Sequence, residues 1–121
     1  MYTGSNLTVM VSDFERAVRF YTDTLGLTLN TRAGNGWAEI GAPGLTIGLH
    51  AAGPHGPQPG SSGAVAIGMK VDDLESAMAN LRARGVEFAH VADGQGIRFA
   101  YFADPDHTSL YLWESKAPAA H

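Results

Sequence analysis

One eight-residue stretch occurs twice in this chain. Val11-Ser12-Asp13-Phe14-Glu15-Arg16-Ala17-Val18 returns sixty residues later as Val71-Asp72-Asp73-Leu74-Glu75-Ser76-Ala77-Met78. Each copy closes an apolar run. Each then sets a polar residue, Ser12 or Asp72, three positions before a glutamate, Glu15 or Glu75. That spacing predicts a capping box, with Ser12 and Asp72 as the caps. Apolar residues follow at helical spacing: Phe14, Ala17, Val18, Tyr21 and Leu25 in the first copy, Leu74, Ala77, Met78 and Leu81 in the second. Phe14 and Tyr21 are expected in the core. Gly26 and Gly85 then stand where a left-handed residue closes a helix. The chain therefore reads as two similar modules. Each is too small to bury a sufficient core alone, so the two are expected to pack into one domain spanning 1–121.

The repeats run over about 4–50 and 64–114, joined by a Gly/Pro-rich linker, 51–63, expected to be exposed. Alternation puts Leu7, Val9 and Val11 on one face of a first strand over 5–11, and Asn6, Thr8 and Met10 on the other. A helix is predicted from Asp13 to Leu25, then strands over 27–32, 37–40 and 45–50, with a tight Asn35-Gly36 hairpin after the first of these. The second module reads as a strand over 64–71, a helix from Asp73 to Arg84, and a strand over 86–91. A loop follows over 92–96, then strands over 97–103 and 108–114. Asp104-Pro105-Asp106-His107 has turn chemistry, and 116–121 reads as a frayed tail. The fold class is α+β: two βαβββ units, eight strands and two helices.

Composition narrows the function. Net charge is −4 with no basic block, which argues against a nucleic-acid partner. There is no cysteine, which removes disulfides, thiolate metal sites and a cysteine nucleophile, and fits a reducing cytoplasm. No apolar run reaches the roughly 18 residues of a membrane span, so no membrane partner is expected.

Val-Ser-Asp closing a strand, then Arg19-Phe20-Tyr21 and Leu25-Gly26-Leu27, resembles the opening of the glyoxalase/bleomycin-resistance/dioxygenase superfamily, also called vicinal oxygen chelate proteins. Val71-Asp72-Asp73, Leu81-Arg82-Ala83-Arg84-Gly85-Val86 and Tyr101-Phe102-Ala103-Asp104-Pro105-Asp106 extend the likeness over nearly the whole chain. The resemblance implies two βαβββ modules forming a curled mixed sheet around a cleft, and commonly a homodimer. In the enzymes of the family it also implies a divalent metal. The metal is held by histidine on each module's first strand and glutamate on each module's last.

Here those four positions read Asn6, Ala66, Gly48 and Tyr111. Glycine and alanine bring no ligand atom, and an amide and a phenol are weak ligands. No metal cofactor is therefore expected. His50, two positions past Gly48, shares its strand face and is the candidate general base or displaced ligand. The other reading is a strand-end histidine satisfied by backbone. Tyr111 and Trp113 share a face and suit an amphipathic or planar ligand. Trp37 opens the third strand and is a further candidate, on a face the sequence leaves open. Arg98, a lone charge beside Phe99, Tyr101 and Phe102, pairs either with a ligand carboxylate or with Glu39. Glu39 and Glu114 are the carboxylates available for acid–base work, and His107 is expected in an exposed turn.

Three readings follow. One is a protein that binds a small organic molecule in a metal-free cleft, for antibiotic or metabolite sequestration, with Asn6, Trp37, Gly48, His50, Ala66, Arg98, Tyr111 and Trp113 as its lining. The alternative is a metal-dependent lyase, isomerase, dioxygenase or thiol transferase of the glyoxalase type, using His50 as a displaced ligand. A metal-free enzyme with His50 as base is a third.

Overall fold

The computed structural model describes residues 1–60, 64–94 and 96–115. Part of the predicted linker, 61–63, and the predicted tail, 116–121, lie outside them, as does Gln95. The elements are β1 (Leu7–Val11), α1 (Phe14–Arg19), β2 (Thr28–Ala33), β3 (Trp37–Ala42), β4 (Leu45–Ala51), β5 (Ala66–Lys70), α2 (Leu74–Ala83), β6 (His90–Gly94), β7 (Ile97–Ala103) and β8 (Ser109–Ser115). They form two four-stranded mixed sheets, ordered β1-β4-β3-β2 and β5-β8-β7-β6. In each, the first strand of the repeat runs parallel to the last, and the other neighbours are antiparallel. One compact unit holds β1–β4 and α1 together with Pro105–Thr108; the other holds β5–β8 and α2.

In the first unit, α1 buries Phe14, Ala17 and Val18, and Tyr21 just beyond it is wholly enclosed. The sheet contributes Val9, Val11, Ala38, Ile40, Ile47 and Leu49, all buried. Burying each of these valine, isoleucine and leucine side chains stabilises by roughly 1.5–3 kcal/mol. In the second unit Leu74, Met78 and Leu81 of α2 pack with Ile67, Ala100, Phe102, Leu110 and Leu112.

The caps fall one residue later than predicted. Asp13 accepts from the Arg16 N–H at 3.1 Å, and Asp73 from the Ser76 N–H at 3.2 Å. Ser12 is otherwise engaged: its N–H and hydroxyl both donate to the Asp106 carboxylate. The glutamates do not reach back as a capping box would have them do. Glu15 pairs with Arg32 of β2, and Glu75 with Arg98 of β7 at 3.0 Å. The first N–H of α2, at Leu74, instead donates to Glu114 of β8 at 2.6 Å. That contact gives Glu114 a structural partner.

The first helix does not run uniformly to Leu25. From Phe20 to Thr24 it widens into a π-helical turn, with Leu25 N–H on Phe20 O at 2.9 Å. The Thr22 hydroxyl donates to the Val18 carbonyl at 2.7 Å, the acceptor that a regular α-turn assigns to the Thr22 N–H. Gly26 and Gly85 take the left-handed conformation as predicted, with φ of 76° and 95°. His107 does so too, with φ 67°, in its exposed turn.

Three local readings change. The β2–β3 connection is the three residues 34–36, and its positive φ is carried by Gly34, not Asn35. Residues 86–89 are irregular rather than a strand, because the Val86 N–H turns back to Leu81 O and closes the helix. Pairing in β6 instead continues through Ala92, Asp93 and Gly94, which had the composition of a loop. In the linker, the Gln58 amide donates to Gly53 O and Gly56 O.

Candidate functional site

Strand side chains alternate, so each sheet turns one set toward its helix and the other set away. In the first unit the outward set is Thr8 and Met10 on β1, Thr46, Gly48 and His50 on β4, and Trp37 and Glu39 on β3. In the second it is Ala66, Gly68 and Lys70 on β5, Ser109, Tyr111 and Trp113 on β8, Phe99 and Tyr101 on β7, and His90 on β6. Register fixes the correspondence. Thr8 pairs with Gly48 and Met10 with His50, as Gly68 pairs with Tyr111 and Lys70 with Trp113. Glu39 pairs with Gly48 and Trp37 with His50, as Tyr101 pairs with Tyr111 and Phe99 with Trp113.

Three of the expected site residues meet in the first unit. The Trp37 ring lies across Gly48 so closely that a Cβ there would stand 2.1 Å from it. His50 stands beside that ring, 6.2 Å between centroids. Its Nδ1 lies 2.8 Å from the Ala51 carbonyl. That acceptor places the proton on Nδ1 and leaves Nε2 as the free acceptor. His50 is thus a strand-end histidine held by backbone, with one nitrogen available. Glu39 accepts from the Asn30 amide at 3.4 Å. Asn6 precedes β1, is exposed, and donates from its amide nitrogen to the Thr8 hydroxyl at 3.2 Å. With Ser5, Leu7, Gly44, Leu45 and Thr46 it lines an open depression of about 390 Å³.

In the second unit Tyr111 belongs to a larger aromatic group, and Trp113 lies on the same face in register with Phe99. Tyr111 and Tyr101 lie 5.3 Å apart, Tyr101 and Phe99 6.0 Å, Tyr101 and His90 6.1 Å. The Lys70 ammonium sits 5.2 Å from the centre of the Trp113 ring. Phe99, Tyr101, Tyr111 and Trp113 are all half-buried. The Tyr111 ring lies flat over Gly68, where a Cβ would come within 2.3 Å of it. Ala66 is paired with Ser109 at the start of β5.

Arg98 does not join this face. It shares the helix side of β7 with the buried Ala100 and Phe102, and pairs with Glu75 and, at 3.9 Å, with Asp93. The expected partner Glu39 is replaced by these two. Phe99, Tyr101, Gly68, Lys70 and His90 were not anticipated as site residues. Parity along β7 was the available signal, since it sets Phe99 and Tyr101 opposite Arg98.

The four positions that would carry a divalent metal offer a poor donor set. Asn6 spends its amide N–H on Thr8, Ala66 has no donor, Gly48 is roofed by Trp37, and Tyr111 is a phenol lying on backbone. Among the described residues no three histidine, aspartate or glutamate side chains gather. These residues do not fit the nitrogen and carboxylate shell such an ion takes.

The model of the Glyoxalase/Bleomycin resistance protein/Dioxygenase superfamily matches residues 5–112. No curated protein matches the chain. Among solved structures, a glyoxalase/bleomycin resistance protein/dioxygenase from Nocardioides is 27% identical, with TM-score 0.78 over 98% of this chain and 87% of its own. The antibiotic binding protein TnmS3 from a Streptomyces species is 26% identical, with TM-score 0.71 over 95% and 99%. A lactoylglutathione lyase from Agrobacterium tumefaciens shares the fold at 18% identity, with TM-score 0.74 over 95% and 96%.

Proposed function

This chain belongs to the glyoxalase/bleomycin resistance protein/dioxygenase superfamily, and within it we propose a protein that binds a small organic molecule without a metal, on the aromatic face of its second repeat. The observation that carries this reading is the contact of the Phe99, Tyr101 and Tyr111 rings, with Trp113 in register opposite Phe99, on the sheet face away from α2. Half-buried rings with polar tips are what an amphipathic or planar ligand needs: area to cover, and a few donors to orient it. The likeness to an antibiotic binding protein over nearly the whole chain favours sequestration of an antibiotic or metabolite. The displaced-ligand reading draws no support from His50, whose register neighbours Met10 and Trp37 carry no imidazole or carboxylate.

The test is a titration of EDTA-dialysed protein with 2-naphthamide, a neutral flat probe, followed by tryptophan emission. Saturable binding is expected, unchanged by added zinc or nickel. Tyr111→Ala should weaken it by about 1–3 kcal/mol through lost ring area. A stoichiometric metal that survives dialysis without chelator, and leaves on His50→Ala, would overturn the reading.

We also propose a homodimer in the reducing cytoplasm. All six residues of the edge strand β2 are exposed, and an open edge invites pairing. A light-scattering mass near the chain's own 12.8 kDa would count against it.

A further inference from the structure

The aromatic face of the second repeat carries a charge pattern as well as rings. Its strand positions include one lysine, Lys70, at the β5 edge and one histidine, His90, at the β6 edge. Among the described residues none of its strand positions is acidic. The acids of this unit's strands lie on the other side: Asp93 faces Arg98, and Glu114 takes the Leu74 N–H. This pattern is local, because the whole chain has net charge −4. It is also confined to one repeat: where the second repeat has Lys70 and Tyr101, the first has Met10 and Glu39.

Lys70 further decides which ligand charge is left to satisfy. An exposed indole face normally attracts a cation. Here the Lys70 ammonium already stands 5.2 Å from the centre of the Trp113 ring. A cationic ligand would meet a filled site and a like charge. An anion would find an ammonium with donors to spare on the exposed side, and the phenol hydroxyls of Tyr101 and Tyr111 one row away.

We propose that this face selects flat aromatic ligands bearing a negative charge, a carboxylate or an ionised phenol, with Lys70 as the charge partner and the Tyr101 and Tyr111 rings as the platform. This rests on the binding reading above and adds a ligand class to it.

Three matched probes test it: 2-naphthoate, neutral 2-naphthamide and cationic 2-naphthylmethylammonium, each titrated calorimetrically at low and at high salt. A charge-assisted contact should favour naphthoate over naphthamide by about tenfold, and added salt should shrink that ratio. The cation should bind weakest. In Lys70→Met the naphthoate-to-naphthamide ratio should fall to about one, and in Lys70→Arg it should persist, with circular dichroism confirming that both variants fold. Equal binding of naphthoate and naphthamide, or a ratio unchanged in Lys70→Met, would overturn the charge selection and leave the aromatic binding face standing. Failure of all three probes to bind folded wild-type protein would overturn both.

Discussion

Where the first repeat sets Ile47 and Leu49 against its helix, the second sets Leu110 and Leu112. Where the first sets Gly48 and His50 on the opposite face, the second sets Tyr111 and Trp113. The helix side of each sheet is constrained alike in both repeats. An aspartate caps the helix, a glutamate in the first turn pairs with an arginine on a strand, and a left-handed glycine ends it. The outward side carries no such demand, and there the repeats part. Thr8, Glu39 and His50 make one face polar; Tyr101, Tyr111 and Trp113 make the other aromatic. A shared register with divergent faces teaches that the residues holding the fold and those of the proposed binding face lie on different sides of the same strands. A functional reading drawn from one repeat therefore does not carry to the other.

The largest effects should fall on the shared side, and equally. Ile47→Ala and Leu110→Ala each remove a wholly buried side chain at corresponding positions. Each should cost about 2–5 kcal/mol, the usual range for such core truncations. Urea unfolding followed by circular dichroism measures both. A loss under 1 kcal/mol in one variant beside a full loss in the other would show that the two cores are not equivalent.

The outward faces should respond unequally. Gly48→Ala drives a Cβ into Trp37, and Gly68→Ala drives one into Tyr111. Each ring is the outer end of a side chain and can swing aside, so the stability loss should stay near about 1–3 kcal/mol. Only Gly68→Ala should also weaken naphthamide binding, because only there is the displaced ring part of the proposed platform. Equal loss of binding in both variants would place the ligand on both faces and erase the functional contrast.

Much of this contrast was legible beforehand, and the illegible part has a physical cause. The duplicated stretch announced two helices and their strands, because apolar periodicity and glycine stops are local signals. The caps slipped by one residue because Ser12 and Asp13, like Asp72 and Asp73, are both competent N-caps. The choice between the first pair follows Asp106, ninety-four residues away, which takes Ser12. Gly48 and His50 share a face by parity alone, while Trp37, whose face the sequence leaves open, joins them through the β3–β4 register. For Arg98 the sequence leaves two partners, a ligand carboxylate or Glu39, because a lone charge in an apolar strand needs one. Its partner Glu75 sits on a helix, and no local pattern in β7 reveals that. Parity along β7 does set Tyr101 opposite Arg98, but Lys70 joins the aromatic face only through its pairing with Trp113 on the neighbouring strand.

The caps themselves give a smaller and more even test. Asp13→Ala and Asp73→Ala should each cost about 1 kcal/mol. Asp73 should be the milder loss in one respect, because Glu114 still accepts the Leu74 N–H at the same helix end. Ser12→Ala removes a tie to Asp106 rather than a cap, so helix content by circular dichroism should be unchanged. A fall in helicity equal to that of Asp13→Ala would restore Ser12 as the cap.

The smallest effect is electrostatic and belongs to the first repeat. The hydrogen bond from Arg32 is the main influence on Glu15 and holds its carboxyl below the ordinary glutamate value of 4.5. Desolvation opposes this, the charges of Arg32 and Arg19 add to it, and the charge of Asp13, the weakest influence, opposes it. Arg32 is itself well placed, with its guanidinium 5.0 Å from the centre of the Phe14 ring and donating to Gly34 O and the Asn35 side chain. The sign follows from linkage. A carboxyl whose folded pKa is depressed contributes stability that is present above its unfolded value, near 4.5. That contribution is lost as pH falls through the lower folded value. Glu15 is exposed, so solvent screens the pair and the change in stability should be slight. The direct observable is the carboxyl itself. A carbon-detected NMR titration should find Glu15 titrating below 4.5 in the wild type and rising toward it in Arg32→Gln. A Glu15 midpoint that does not move in that variant would remove Arg32 as the cause and leave the charge of Arg19 as the lowering influence.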